Sequence, residues 1–275
     1  YLTDAFSEKA VEFINESSQP FMMYLAYNAV HTPMQATDED MAKFEGHPRQ
    51  KLAAMTYALD RGVGTVIRGL KDSGKFDNTL IFFLSDNGGA TTNQSSNYPL
   101  KGFKGNKFEG GHRVPYFVVW KNGIPAGKPY DGLVSSLDIF ATAIDAASIS
   151  KTRNRLDGVS LLPYLKGKKG EPHKVLYWRK MDTRAIRSGD YKLIITHGVD
   201  SVLYNIRRDP EEMNNLINKE PDLYRKLAKK LAKWEKNECI EPSWLEEGWR
   251  KITNRYHQQL MHNEIKTAQD LYKKK

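Results

Sequence analysis

Cysteine is almost missing from this chain of 275 residues: Cys239 stands alone, so no disulfide can form within it and the redox compartment stays open. Long apolar runs are missing too, and without a stretch of about 20 apolar residues there is no candidate membrane span. No signal-peptide pattern and no internal repeat is visible. Acid is in short supply against base, 33 residues to 42, which leaves a net charge of +9. That excess favours polyanionic partners, although a lysine-rich surface that only keeps the protein in solution has the same signature. What the chain has in quantity is apolar residues, 40% of the whole, enough for one large core or two smaller ones.

Chemistry collects at the ends of two apolar runs. Thr79 to Leu84 is apolar without alternation, the pattern of a central strand covered on both faces, and it empties into Ser85-Asp86-Asn87-Gly88-Gly89. Ligands in α/β sheets gather beyond the carboxyl ends of strands. Asp86 and Asn87 offer hard oxygen donors suited to calcium or magnesium, though Asp-Asn-Gly-Gly is also good turn chemistry in any protein. Downstream, from Leu100 to Pro115, lie Lys101, Lys104 and Lys107, whose ammonium groups suit an anion held against such a cation. A second run, Phe21 to Tyr27, releases Asn28-Ala29-Val30-His31-Thr32-Pro33, which puts His31 where catalytic groups of α/β enzymes sit, or leaves it a packed histidine fixed by Pro33.

These segments together resemble the C-terminal half of a sulfatase of the alkaline phosphatase superfamily. The likeness runs from Tyr1 to Ala5 through Leu156 to Ser160, Tyr177 to Arg179, Arg184 to Leu193 and Leu203 to Ile206, about six-sevenths of the chain, and its specificity lies in order and spacing. The resemblance implies that Asp86 and Asn87 bind one calcium ion, with Asp86 also helping to deprotonate the nucleophile. It implies that Lys104 binds the sulfate and that His31 contacts it and protonates the leaving alkoxide. Lys101 is a lesser candidate for sulfate, and Lys101 and Lys107 otherwise read as surface lysines. Glu109, Gly110, Gly111, Arg113 and Pro115 read as structural, the two charged residues satisfying backbone groups beneath the metal loop if they are buried. His112 and the remaining histidines match no catalytic position.

Family members also carry an Asp-Asp metal pair and a Cys/Ser-x-Pro-x-Arg signature whose Cys or Ser becomes formylglycine, the nucleophile. This sequence has neither: Cys239 has its proline one place late, and Ser18-Gln19-Pro20 has Met22 where arginine belongs. The expectation is a part of a longer, calcium-dependent sulfatase whose nucleophile and remaining metal ligands lie in another segment, so that the chain alone is inactive. The expected partner is a sulfated carbohydrate or aryl sulfate, with no nucleic acid and no membrane, in a periplasmic or secreted setting. A phosphatase or phosphodiesterase of the same superfamily is the first competitor, but those usually have Asp-His where Asp86-Asn87 stands, and asparagine favours a single metal. A non-catalytic polyanion-binding remnant is the second.

The fold expected is α/β, an alkaline phosphatase-like sheet with helices on both faces over residues 1–167, then a small antiparallel sheet with helices over 168–275. Thr3 should cap a helix over 4–17, Arg49 to Ser73 should form a long helix closed by Gly74, and Val114 to Trp120 a strand. Ser135 should open a helix reaching Ala147. Val175 to Trp178, Arg184 to Arg187, Tyr191 to Thr196 and Val202 to Ile206 should form the small sheet, with Leu223, Leu227, Leu231 and Trp234 on one face of a helix packed against it. Ser243 has the form of a helix cap, and Leu245, Trp249, Ile252, Tyr256 and Leu260 should be the buried stripe of a last helix.

Overall fold

A computed structural model describes residues 1–149, 155–239 and 247–273. The chain divides into two compact units: Tyr1–Ile81 with Thr92–Ser95 and Val118–Gly127, and Phe82–Thr91 with Ser96–Phe117 and Lys128–Lys275.

In the first unit, helix α1 (Leu2–Glu16) lies against α3 (Gln50–Asp72). Their backbones approach closely where α3 has glycine: a Cβ on Gly62 would meet Ser7 Oγ at 2.6 Å, and one on Gly69 would meet Val11 Cγ2 at 2.9 Å. Arg61 of α3 ties the pair together by donating to Asp4 at 3.0 Å and to Asp40 at 2.6 Å. Asp40 sits in the short helix α2 (Asp38–Ala42), which Thr37 caps by accepting the Asp40 N–H at 3.2 Å. Gly74, at φ +71°, closes α3 as expected.

Two expectations fail in this unit. Thr3 does not cap α1, because the helix already starts at Leu2; Thr3 is buried in its first turn and its carbonyl accepts from Ser7 Oγ at 2.9 Å. Phe21 to Tyr27 joins no sheet among the described residues. It runs extended with every second side chain turned outward, Met22 and Tyr24 among them, while Phe21 packs edge-on to Phe13 and the Tyr27 hydroxyl meets Ser7 Oγ at 2.8 Å. Alternation covers one face only, so the apolar composition does not mark a central strand here.

After a 3-10 turn at Phe76–Asn78, strand β1 (Ile81–Leu84) pairs with β2 (Tyr116–Val119) in a two-stranded sheet, and single-turn helix α4 (Glu109–His112) precedes β2. Covering of β1 on both faces is not what the structure shows, since Phe83 is 40% exposed.

The second unit is built on a four-stranded antiparallel meander, β3 (Val175–Lys180), β4 (Thr183–Ser188), β5 (Tyr191–Thr196) and β6 (Asp200–Asn205), in sequence order. Gly189 at φ +56° makes the tight turn that fixes the β4–β5 register, with Ser188 opposite Tyr191. One face packs on α7 (Pro221–Glu238) through Ile186, Leu193, Leu203, Leu227 and Leu231. Each such side chain taken from water contributes roughly 1.5 to 3 kcal/mol. Leu223 and Trp234 complete that face from partly buried positions, Trp234 stacking on Tyr177 at 4.9 Å.

The other face of the meander, with Ala185, Ile194, Val202 and Tyr204, receives Phe103 and Phe108 together with α8 (Glu247–Met261). Helix α8 therefore packs, but on a different stripe from the one expected: Thr253, His257, Leu260 and Met261 are buried, Ile252 and Tyr256 only partly, and Trp249 is 56% exposed. The apolar count placed Trp249 inside, whereas the face that meets the sheet carries a threonine and a histidine. The expected cap Ser243 and Leu245 lie outside the described residues. A short helix α9 (Asp270–Lys273) follows.

Helix α5 (Asp138–Ala146) begins three residues later than expected because Asp138, itself fully buried, accepts the Ser135 N–H at 2.7 Å. The same carboxylate accepts from Val159 N–H at 2.9 Å and His173 Nε2 at 2.7 Å, docking the segment that leads to α6 (Leu162–Leu165). Among the described residues no helix is long and apolar enough to cross a membrane.

Candidate functional site

The loop that leaves β1 is built by close backbone contact. Ser85 N–H donates to Pro115 O at 3.3 Å, and Gly88 N–H to Gly111 O at 3.1 Å. A Cβ on Gly88 would lie 1.8 Å from Gly110 O, so only glycine lets the Asp86-Asn87 turn sit on the turn beneath it. Asn97 staples the next layer: it accepts the Gly89 N–H at 2.8 Å and donates to Gly102 O at 3.1 Å. Lys104 N–H donates to Gly89 O at 3.0 Å. Asp86, Asn87 and Lys104 are thus carried by loops bonded to each other, and Phe103 and Phe108, both buried, anchor the Lys104 segment in the core.

Asn87 donates from Nδ2 to the Asp86 carboxylate, which holds the two side chains side by side. The pair fits part of a hard-cation shell, carboxylate and amide oxygens being the donors calcium accepts, but calcium takes six to eight oxygens. Among the described residues no group of three or more His, Cys, Asp and Glu side chains makes a fuller cage.

His31 lies in the first unit and is described there. Its N–H donates to Asn28 O at 2.9 Å, and Nδ1 donates its proton toward Thr32 O at 2.6 Å, since a carbonyl oxygen can only accept. Buried Asn93 steadies this turn by donating to Val30 O at 3.1 Å.

Beneath the Lys104 loop is an ionic network that the sequence did not disclose. Lys192 of β5 is fully buried and pairs with Glu109 at 2.8 Å and Glu212 at 3.0 Å, while Glu109 N–H donates to the Glu212 carboxylate at 2.6 Å. Burial pushes the Glu109 carboxyl up, but Lys192 and Arg187 outweigh it and hold the group low. Glu212, also fully buried, is held above the ordinary carboxylate range by burial and by the charge of Glu109, against the pull of Lys192. His112 stacks on Trp178 at 4.5 Å and accepts from Lys192 at 3.0 Å; burial and that ammonium keep it neutral, down to about 3. Glu109 therefore serves an ion pair, not backbone groups as expected, and Arg113, whose side chain is 58% exposed, stays on the surface.

Lys101 is not a surface lysine and not a sulfate ligand. It is fully buried, donates to Glu212 O at 3.0 Å and Asn263 Oδ1 at 2.6 Å, lies over the rings of Phe108 and Tyr204, and burial lowers it to about 8. Lys107 is not a free surface lysine either. It is partly buried, and burial, with the charges of Lys180 and Lys192, lowers it to about 8.

Comparison with known proteins gives the family and the fold. A family model described as Sulfatase matches residues 1–149, and one described as N-sulphoglucosamine sulphohydrolase, C-terminal, matches residues 104–237. An uncharacterised sulfatase of Escherichia coli (strain K12), YdeN, is 40% identical over 188 residues, 65% of this chain and 33% of that protein. An N-acetylgalactosamine-6-sulfatase of Canis lupus familiaris is 32% identical over 199 residues, 70% of this chain and 38% of that one. The crystal structure of Ps i-CgsB in complex with k-i-k-neocarrahexaose superposes with a TM-score of 0.82 at 37% identity, covering 93% of this chain and 59% of that one. The chain spans about a third of the length of these curated relatives.

Proposed function

Because the chain belongs to the sulfatase family, we propose that it forms part of a calcium-dependent hydrolase of sulfate esters acting on a sulfated carbohydrate. Its fold is the α/β, alkaline phosphatase-like one. The observation that supports the reading best is the bond from Lys104 N–H to Gly89 O, which ties the anion-binding lysine to the turn carrying Asp86 and Asn87. The N-acetylgalactosamine-6-sulfatases among the relatives point to a sulfated sugar as substrate.

In this proposal Asp86 and Asn87 would hold calcium together with oxygens from another segment, and the bound cation would supply positive charge beside the sulfate. The attacking group would be a formylglycine from that other segment. Lys104 binds sulfate oxygens and offsets the charge that grows as the ester bond breaks. His31, as the imidazolium, gives one ring proton to the departing alkoxide and is left neutral with its Nδ1 proton held toward Thr32 O, while Asp86 accepts the proton of the nucleophile. In the full-length protein, turnover of sugar sulfates should vanish on calcium chelation, return with calcium, and be lost in Asp86→Ala. Turnover that survives Asp86→Ala and Lys104→Ala would overturn the assignment, and sulfated-sugar binding with no turnover would instead mark a polyanion-binding remnant.

A further inference from the structure

The hairpin between β3 and β4 brings a second lysine to the Lys104 loop. Its tip, Met181-Asp182, is clamped: Arg250 Nε and Asn254 Nδ2 of α8 each donate to Asp182 Oδ2 at 2.7 Å, and the Asp182 carbonyl accepts the His197 N–H at 2.9 Å. Lys180, opposite Thr183 at the base of this turn, is thereby aimed at the loop, with Nζ 3.0 Å from the point a Cβ on Gly105 would occupy. Gly105 is the neighbour of Lys104, and Lys107 stands two residues on.

Lys107 and Lys180 are both partly buried, and neither has an acidic partner among the described residues. Lys192, deeper in the same region, has two. An ammonium group withdrawn from water without a counter-charge is costly. Burial lowers Lys180, and Lys104 lowers it further; Lys107 is lowered by burial and then by Lys180. His257, fully buried, feels both lysines and has no hydrogen-bond partner at Nε2 among the described residues.

We infer that Lys107 and Lys180 form a second anion contact beside Lys104, for a substrate that carries a further sulfate or carboxylate group close to the ester being cleaved. This rests on the sulfatase reading for Lys104, but it concerns different residues. Asp182, Arg250 and Asn254 are positioning residues that hold the hairpin.

The test is binding to the full-length protein by calorimetry, with three probes: sucrose octasulfate, which offers sulfate pairs at many separations, tri-galacturonate, which offers carboxylates, and methyl sulfate, which offers one anion. Lys180→Gln and Lys107→Gln should each weaken one of the multiply charged probes about tenfold and leave methyl sulfate within twofold. The probe affected identifies the second group. Lys180→Arg should bind like the parent, and Lys230→Gln, on the exposed face of α7, should change nothing. Lys180→Gln binding all three like the parent, equal weakening of all three, or equal weakening by Lys230→Gln would overturn the inference. If Lys180 controls octasulfate binding while the protein hydrolyses no sulfate ester, the contact stands and the sulfatase reading falls.

Discussion

Lysines meet two fates within one region, and the partners decide which. Lys101 and Lys192 are fully buried because carbonyl, amide or carboxylate oxygens receive their protons, whereas Lys104 rides on a loop bonded to the Asp86 turn. Replacing Lys104 by alanine in the full-length protein should lower kcat/KM on a sugar sulfate about a hundredfold, on the order of 3 kcal/mol of transition-state stabilisation, while Lys230→Ala stays within twofold. His257 gives a prediction in pH. Burial depresses it to about 4 from 6.5. The unfolded chain takes up this proton as the pH falls below 6.5 and the folded chain only near 4, so its contribution to stability is full above 6.5 and drains away as the pH drops between those values. His257→Phe should therefore lose less stability than the parent between pH 7 and 4.5, by on the order of 2 kcal/mol in denaturant titrations. An equal loss in both proteins would mean that His257 is not buried neutral. Motif spacing singled out Asp86, Asn87, Lys104 and His31 as the candidates in the sequence. It could not show the Lys192 network, whose members stand 83 and 103 residues apart and are ordinary charged residues until folding brings them together.

At the scale of elements, turn chemistry was the most legible signal. Ser188-Gly189-Asp190 and the alternating strands around it gave β3 to β6 within a few residues, and the leucine spacing gave α7, because local geometry alone dictates both. Segments whose fate depends on a distant surface were read less well. Phe21 to Tyr27 stays out of any described sheet, and α8 turns Thr253 and His257 inward while Trp249 stays out. Loop packing is another such case, because the glycines of the Asp86 turn serve close approach as well as turning. Gly88→Ala puts a methyl against the Gly110 carbonyl, a backbone atom that cannot swing aside. It should cost about 1 to 3 kcal/mol and displace the Asp86 turn, lowering thermal stability and calcium affinity together. Gly248→Ala, at a helical position with nothing within 4 Å, should be neutral or mildly stabilising by thermal melt. Similar destabilisation by both would show that the contact under Gly88 is slack.

For the molecule as a whole, the question is how much of a sulfatase these residues can be. The chain has a turn with two hard oxygen donors, a lysine bonded to that turn, and a small sheet whose buried ion pairs brace both. It has no Cys/Ser-x-Pro-x-Arg sequence, and it spans 33% and 38% of two curated relatives. A pair of donors holds calcium weakly when six to eight are needed, and a sulfate bound by Lys104 with nothing to attack it stays intact. On the proposed reading the 275-residue chain alone should show no turnover of aryl or sugar sulfates, whereas a longer protein that also carries the nucleophile should turn them over and lose that activity in Asp86→Ala. The same chain, at net charge +9, should still bind sucrose octasulfate, and more weakly as salt rises. Binding without turnover would separate the two halves of the chemistry: anion recognition in this chain, attack on sulfur in the segment that carries the nucleophile. Turnover by the chain alone, abolished in Asp86→Ala, would place the nucleophile among these 275 residues and refute the division.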